Sequence, residues 1–98
     1  MKNKILIVDD QQDIRQLLSG ILSDEGYAPI AVDSGEKALE AIDSSNPHVV
    51  LLDVWLANPR FDGVYFLDLI KRKLEKNGYF AENKGFFHHY LLDLFCKL

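Results

Sequence analysis

Cysteine, basic charge and long apolar runs are all scarce in this 98-residue chain, and each scarcity removes a class of function. A single cysteine, Cys96, cannot form an internal disulfide, so the chain is no disulfide-stapled scaffold. Eleven Lys and Arg against fifteen Asp and Glu leave a formal charge of −4, with the bases scattered and not striped. The electrostatic footprint of a nucleic-acid binder is missing, and no nucleic-acid partner is expected for this chain alone. No apolar run approaches the roughly 20 residues that span a bilayer, so no membrane role is expected. The start Met-Lys-Asn-Lys leads into a short apolar strand and not a signal-peptide core, which points to a cytoplasmic compartment. The length allows one domain with one modest core. An apolar share of 48% with 27% charged residues is the balance of a folded globular protein, not of a disordered tail.

Along the chain the pattern is strand, acid, helix, repeated. Ile5-Leu6-Ile7-Val8 is a continuous apolar run, as in a parallel strand buried on both faces, and it ends in Asp9-Asp10. From Asp13 onward Ile14, Leu17, Leu18, Ile21 and Leu22 recur at helical spacing as one apolar stripe, and Gly26 is placed to stop the helix. Ala28 to Val32 reads as a second strand, and Pro29 suits it to an edge. Asp33 or Ser34 can cap a second helix with Ala38, Leu39 and Ile42 inward, closed by Asn46-Pro47. Val49-Val50-Leu51-Leu52 is a third strand ending in Asp53, and a loop to Asp62-Gly63 leads to a helix with Phe66, Leu67, Ile70 and Leu74 on one face. Three such units predict an α/β fold with a parallel sheet and right-handed crossovers. After Asn77-Gly78 the chain turns aromatic and apolar on nearly every side. The expectation there is a divergent tail over residues 79–98, a loop and a short helix, behind a domain over residues 1–78.

Ligands of a parallel sheet bind at the carboxyl ends of strands where the strand order reverses. If the first and third strands are neighbours, Asp9, Asp10 and Asp53 converge there. Three carboxylates in close company repel, and a proton or a cation must relieve them. Hard oxygen donors with room for water and phosphate suit Mg²⁺, and an Asp beside a held metal can act as a nucleophile toward phosphorus. An isolated acid at a strand end is ordinarily a helix cap or a solvated turn. Two acidic strand ends at matching positions of successive units reverse that preference.

The residues Ile5-Leu6-Ile7-Val8-Asp9-Asp10, Asp13-Ile14-Arg15, Asp24-Glu25-Gly26-Tyr27, Ser34-Gly35-Glu36-Lys37-Ala38-Leu39, Pro47 and Leu51-Leu52-Asp53, then Asp62-Gly63, resemble bacterial two-component receiver domains in order and spacing. The resemblance covers about three quarters of the chain. It implies a flavodoxin-like (CheY-like) fold with flanking helices, and phosphorylation of Asp53 by a sensor histidine kinase. It also implies Mg²⁺ held by Asp9, Asp10, Asp53 and the backbone carbonyl of Trp55. Asp53-Val54-Trp55-Leu56 with the longer path to Asp62-Gly63 is similar to the NtrX-like subtype. Ala57 replaces the usual receiver proline, with Pro59 in the lengthened loop.

Beyond about Lys76 the resemblance stops, as in a truncated copy. Receivers supply a Ser or Thr from a fourth strand and a Lys from a fifth; Lys84 and Lys97 follow no apolar strand in this reading, and neither role is assigned. A three-stranded remnant leaves the third strand as an edge, and exposing several hundred Å² of apolar surface costs on the order of 10 kcal/mol, comparable with a domain's net stability. The tail is therefore expected to cover that surface, or the chain to form a homodimer through the exposed sheet edge, or to fold poorly.

Other residues carry less. His88-His89 with Asp93 point to different faces of a helix and want a third ligand. Cys96 among Leu94, Phe95 and Leu98 reads as a core residue. Trp55 is as readily a packing residue as a partner-binding one. No glycine-rich phosphate loop follows a strand, so nucleotide binding is not expected. The chain is expected to be a phosphoacceptor module and not an enzyme. The alternatives are a degenerate receiver acting only through interactions, or a remnant without function, and, more remotely, a Mg²⁺-dependent phosphatase, which would want a second acid where Trp55 stands.

Overall fold

The computed structural model describes residues 3–53, 63–87 and 90–97, with the backbone alone for Asp53, 63–68, 80–87 and 90–97. In chain order the elements are β1 (Lys4–Val8), α1 (Gln12–Asp24), β2 (Ala28–Val32), α2 (Gly35–Ser45), β3 (Val49–Asp53), α3 (Gly63–Lys76), β4 (Tyr79–Phe87) and β5 (Tyr90–Lys97). They build one five-stranded sheet in the order β2-β1-β3-β5-β4. β1 is parallel to both β2 and β3, Ile7 pairing with Ala31 on one side and Leu51 on the other. β2 is an edge strand, where Pro29 lacks an N–H that the ladder would otherwise use.

Local signals terminate the elements as their chemistry requires. Ser34 caps α2, its hydroxyl accepting the Lys37 N–H at 3.2 Å, and Asn46 ends it in the left-handed region at φ 47°. Gly26 and Gly78, at φ 90° and 88°, turn the chain after α1 and α3.

The two sheet faces are covered unequally. Leu6, Val8, Val50 and Leu52 point to the face under α2 and α3 and are fully buried against Ala38, Ala41, Ile42, Ile70 and Leu74. On the opposite face α1 lies over β2 and β1 and buries Ile5 and Ile7. The α1 stripe read as one apolar face is only partly used. No α1 residue is buried, and Leu17 and Ile21 are 59% and 50% exposed.

The expected loop and short helix after residue 78 do not form. β4 and β5 are antiparallel, and β5 also pairs with β3 antiparallel, Val50 opposite Phe95 and Leu52 opposite Asp93. A strand with neighbours on both sides is written as a near-continuous apolar run, and over eight residues that cannot be told from a buried helix by period. The third strand is consequently not an edge, and the expected dimer through that edge has no free strand there; the edges are β2 and β4. Tyr79, at the start of β4, is buried and its hydroxyl donates to the Pro47 carbonyl, tying the hairpin to the α2–β3 connection. Burial pushes the Tyr79 phenol up from its ordinary value.

Candidate functional site

In parallel neighbours, residues that follow paired positions leave the sheet at one end. Val8 pairs with Leu52, so Asp9 follows one and Asp53 the other, with Asp10 next along the chain. The strand order also reverses between β1 and β3: β2 lies on one side of β1 and β3 on the other. That is the topological switch point, where ligands of such sheets bind.

Asp9 is buried, 2% exposed, and is held by its own backbone surroundings. Its N–H donates to the Val32 carbonyl at 3.1 Å, and its Oδ1 accepts the Gln11 N–H at 2.9 Å. The Arg15 guanidinium donates to the Asp9 carbonyl at 2.8 Å, which ties the first turn of α1 to the strand end. Asp10 is different: its Oδ1 is buried and has no hydrogen-bond partner among the described residues. A buried carboxylate oxygen without a donor is costly, and a hard cation at that oxygen would remove the cost. The donor set at this end of the sheet therefore fits Mg²⁺.

A further acid, Asp33, follows β2 at the same end. Lys37 lies 3.1 Å from it, and the Lys37 hydrogen bond is the main reason the Asp33 carboxyl sits below its ordinary value. Asp33 is thus balanced by a lysine in the first turn of α2.

Asp53 is the last residue of β3, placed by its backbone; its pairing with Leu92 brings the antiparallel β5 alongside. Trp55, Asp62, His88 and His89 lie outside the described residues. Among the described side chains, which do not include that of Asp53, no group of three His, Cys, Asp or Glu is gathered as a metal site. Arg15 and Gln11 were not singled out from sequence for the roles they take. The available signal was an Arg one turn into the helix that follows an acidic strand end.

Among the described residues no helix is long and apolar enough to cross a membrane. The family model "Response regulator receiver domain" matches residues 5–78. The chain is 45% identical over 73 residues to the nitrogen assimilation regulatory protein NtrX of Azorhizobium caulinodans, which spans 74% of this chain and 16% of that protein. The crystal structure of NtrX from Brucella abortus in complex with ADP is similar at 46% identity and a TM-score of 0.63, over 74% of this chain and 17% of that one. The N-terminal domain of a response regulator receiver protein from Methanoculleus marisnigri is 41% identical with a TM-score of 0.60, over 69% of this chain and 54% of that one. The chain thus spans about one sixth of the NtrX proteins it matches. The parallel β2-β1-β3 part of the sheet with its flanking helices, acids at the ends of β1 and β3, and a family match over residues 5–78 agree on one conclusion: the chain belongs to the response regulator receiver domains.

Proposed function

We propose that this chain accepts a phosphoryl group on the Asp53 carboxylate from the phosphohistidine of a sensor histidine kinase. Receiver domains as a family are phosphorylated by such kinases, and the reading carries that property to Asp53. The observation behind it is the parallel pairing of Val8 with Leu52, which brings Asp9 and Asp53 to the same end of the sheet. Asp9, Asp10 and the Trp55 carbonyl, with Asp53 itself, are the groups assigned to hold Mg²⁺. Bound there, the cation neutralises charge on the phosphoryl oxygens.

The chain's own part is positioning. The Gln11 N–H on Asp9 and the Arg15 guanidinium on the Asp9 carbonyl hold the strand end rigid. An Asp53 oxygen forms the new bond to phosphorus as the P–N bond breaks, and the leaving imidazole takes a proton. In this reading the chain is a phosphoacceptor in the cytoplasm and not a turnover enzyme, and nucleic acid is not among its own partners.

Incubation with a small acyl phosphate and Mg²⁺, followed by intact mass, tests the assignment. A gain of one phosphoryl group in the parent and none in Asp53→Asn is the expected result. No gain in the parent, or an equal gain in both, refutes it.

A further inference from the structure

The faces of β3 record how well each side of the sheet is covered. Val50 and Leu52, under α2 and α3, are 0% exposed, whereas Val49 and Leu51 on the other face are only half-buried. Among the described residues α1 is the helix on that face, and it rests on β2 and β1. Among the described residues, β3, β5 and β4 have no helix there.

The alternation of β5 is the reverse of what a one-sided sheet needs. From the pairing with β3, Leu91, Asp93, Phe95 and Lys97 share the face of Val50 and Leu52. Tyr90, Leu92, Leu94 and Cys96 share the face of Val49 and Leu51. The charged positions thus lie on the side covered by α2 and α3, and the fully apolar set lies on the side where α1 reaches only β2 and β1. A strand's uninterrupted apolar face is its buried face.

The flank of α1 continues this surface. Gln12, Arg15, Gln16 and Ser19 line an open hollow with Ala31 of β2, so the polar flank of α1 faces the β2 edge. Leu17 and Ile21 lie about 100° or more around the helix from that flank, on the side toward β3. They are the most exposed large apolar residues described.

We propose that a second copy of this chain covers the face formed by β3, β5, β4 and the Leu17–Ile21 flank of α1, the two sheets packing face to face about a two-fold axis. The β5 strip carries no charge on this face, and the Asp53 position that shares the face lies at its rim, opposite Leu92, so a copy can be laid on the strip without opposing like charges; such apolar interfaces are characteristic of homodimers. Three strands about 4.8 Å apart and some 25 Å long project roughly 350 Å². With the α1 flank added, the patch approaches the about 600 Å² per partner at the lower end of stable interfaces. Sheets packed in this way stand about 10 Å apart with their inner faces interdigitated. The inference does not rest on the phosphoacceptor reading, although the Asp53 position shares this face at its rim.

Sedimentation velocity of the full chain across a hundredfold concentration range is the test. A monomer–dimer equilibrium is expected, weakened at least tenfold by Leu17→Glu, which alters an already exposed position and leaves the far-ultraviolet circular dichroism unchanged. Leu94→Glu, in the centre of the face, is expected to give monomer. Should Leu94→Glu fail to fold, Leu17→Glu decides by itself. A folded monomer at all concentrations overturns the proposal. So does a dimer that Leu17→Glu leaves unchanged, or open-ended association in place of a closed dimer.

Discussion

Replacing Tyr79 by Phe removes one oxygen from a place where three things depend on it. The Tyr79 hydroxyl donates to the Pro47 carbonyl, Pro47 is fully buried, and Tyr79 begins the hairpin that covers β3. Loss of the bond costs about 1 kcal/mol net, and leaving a buried carbonyl without a donor adds to it, for about 1.5 kcal/mol altogether. For a chain of this size that is ~6–12 °C in Tm. A pH arm identifies the cause. Burial raises the Tyr79 phenol above its ordinary value of 10.0. Below pH 10 folded and unfolded states are both protonated and this contribution to stability is complete. As pH rises from about 10 toward the folded value, the unfolded chain releases its proton first, and the parent loses stability that the Phe variant never had. Urea melts followed by circular dichroism at pH 8 and pH 11 should therefore show a gap between parent and Tyr79→Phe that narrows at the higher pH. Equal stability at pH 8, or a gap that does not narrow, would refute the docking of β4 through this hydroxyl.

Three other perturbations have defined outcomes. Ser34→Ala removes the hydroxyl that accepts the Lys37 N–H and should cost about 1 kcal/mol, read as a lower urea midpoint with an unchanged slope. Asp10→Asn removes the charge from a buried oxygen that lacks a donor, so without divalent cation it should raise stability by about 1 kcal/mol. Excess Mg²⁺ should then raise the Tm of the parent and leave the variant's unchanged. Lys37→Ala should return the Asp33 carboxyl toward 3.8, as followed by nuclear magnetic resonance titration. Because the folded-state value is depressed, the pair's contribution is present above about pH 4 and lost as pH falls through the folded value, so parent and variant should converge in stability in acid.

The first three strand–helix units were legible because each carries two independent marks. Buried parallel strands read as unbroken apolar runs, and the acids, Ser34, Asn46 and Gly26 stop them or start the helices on either side. Pro29 likewise placed β2 at an edge. The site was legible as far as its backbone: adjacent β1 and β3 put Asp9, Asp10 and Asp53 at one end of the sheet. What a single residue pattern could not reveal was anything set by a neighbour distant in the chain. Leu17 and Ile21 match the helical stripe of Ile14 and Leu18, yet they stay exposed because α1 has sheet beneath it only at β1 and β2. Ala41 packs in the core, whereas the larger Leu39, about 200° around the helix from it, is only half-buried. The hairpin was hidden because apolar residues on both faces of β5 erase the two-residue period that marks a strand.

The change of strand direction at β3 alters what can reach Asp53. A parallel neighbour would bring its own carboxyl end and the amino terminus of a following helix to the same rim, with backbone N–H groups aimed at an anion. β5 runs the other way, so Leu92 lies opposite Asp53 and the chain near that rim joins one strand to another. Help from a helix dipole is thus available from α1, which starts just past Asp10, but not from β5's side of the sheet. An acyl phosphate formed there would be held chiefly from the β1 side, and its lifetime should respond to changes at the start of α1 far more than to changes in the hairpin.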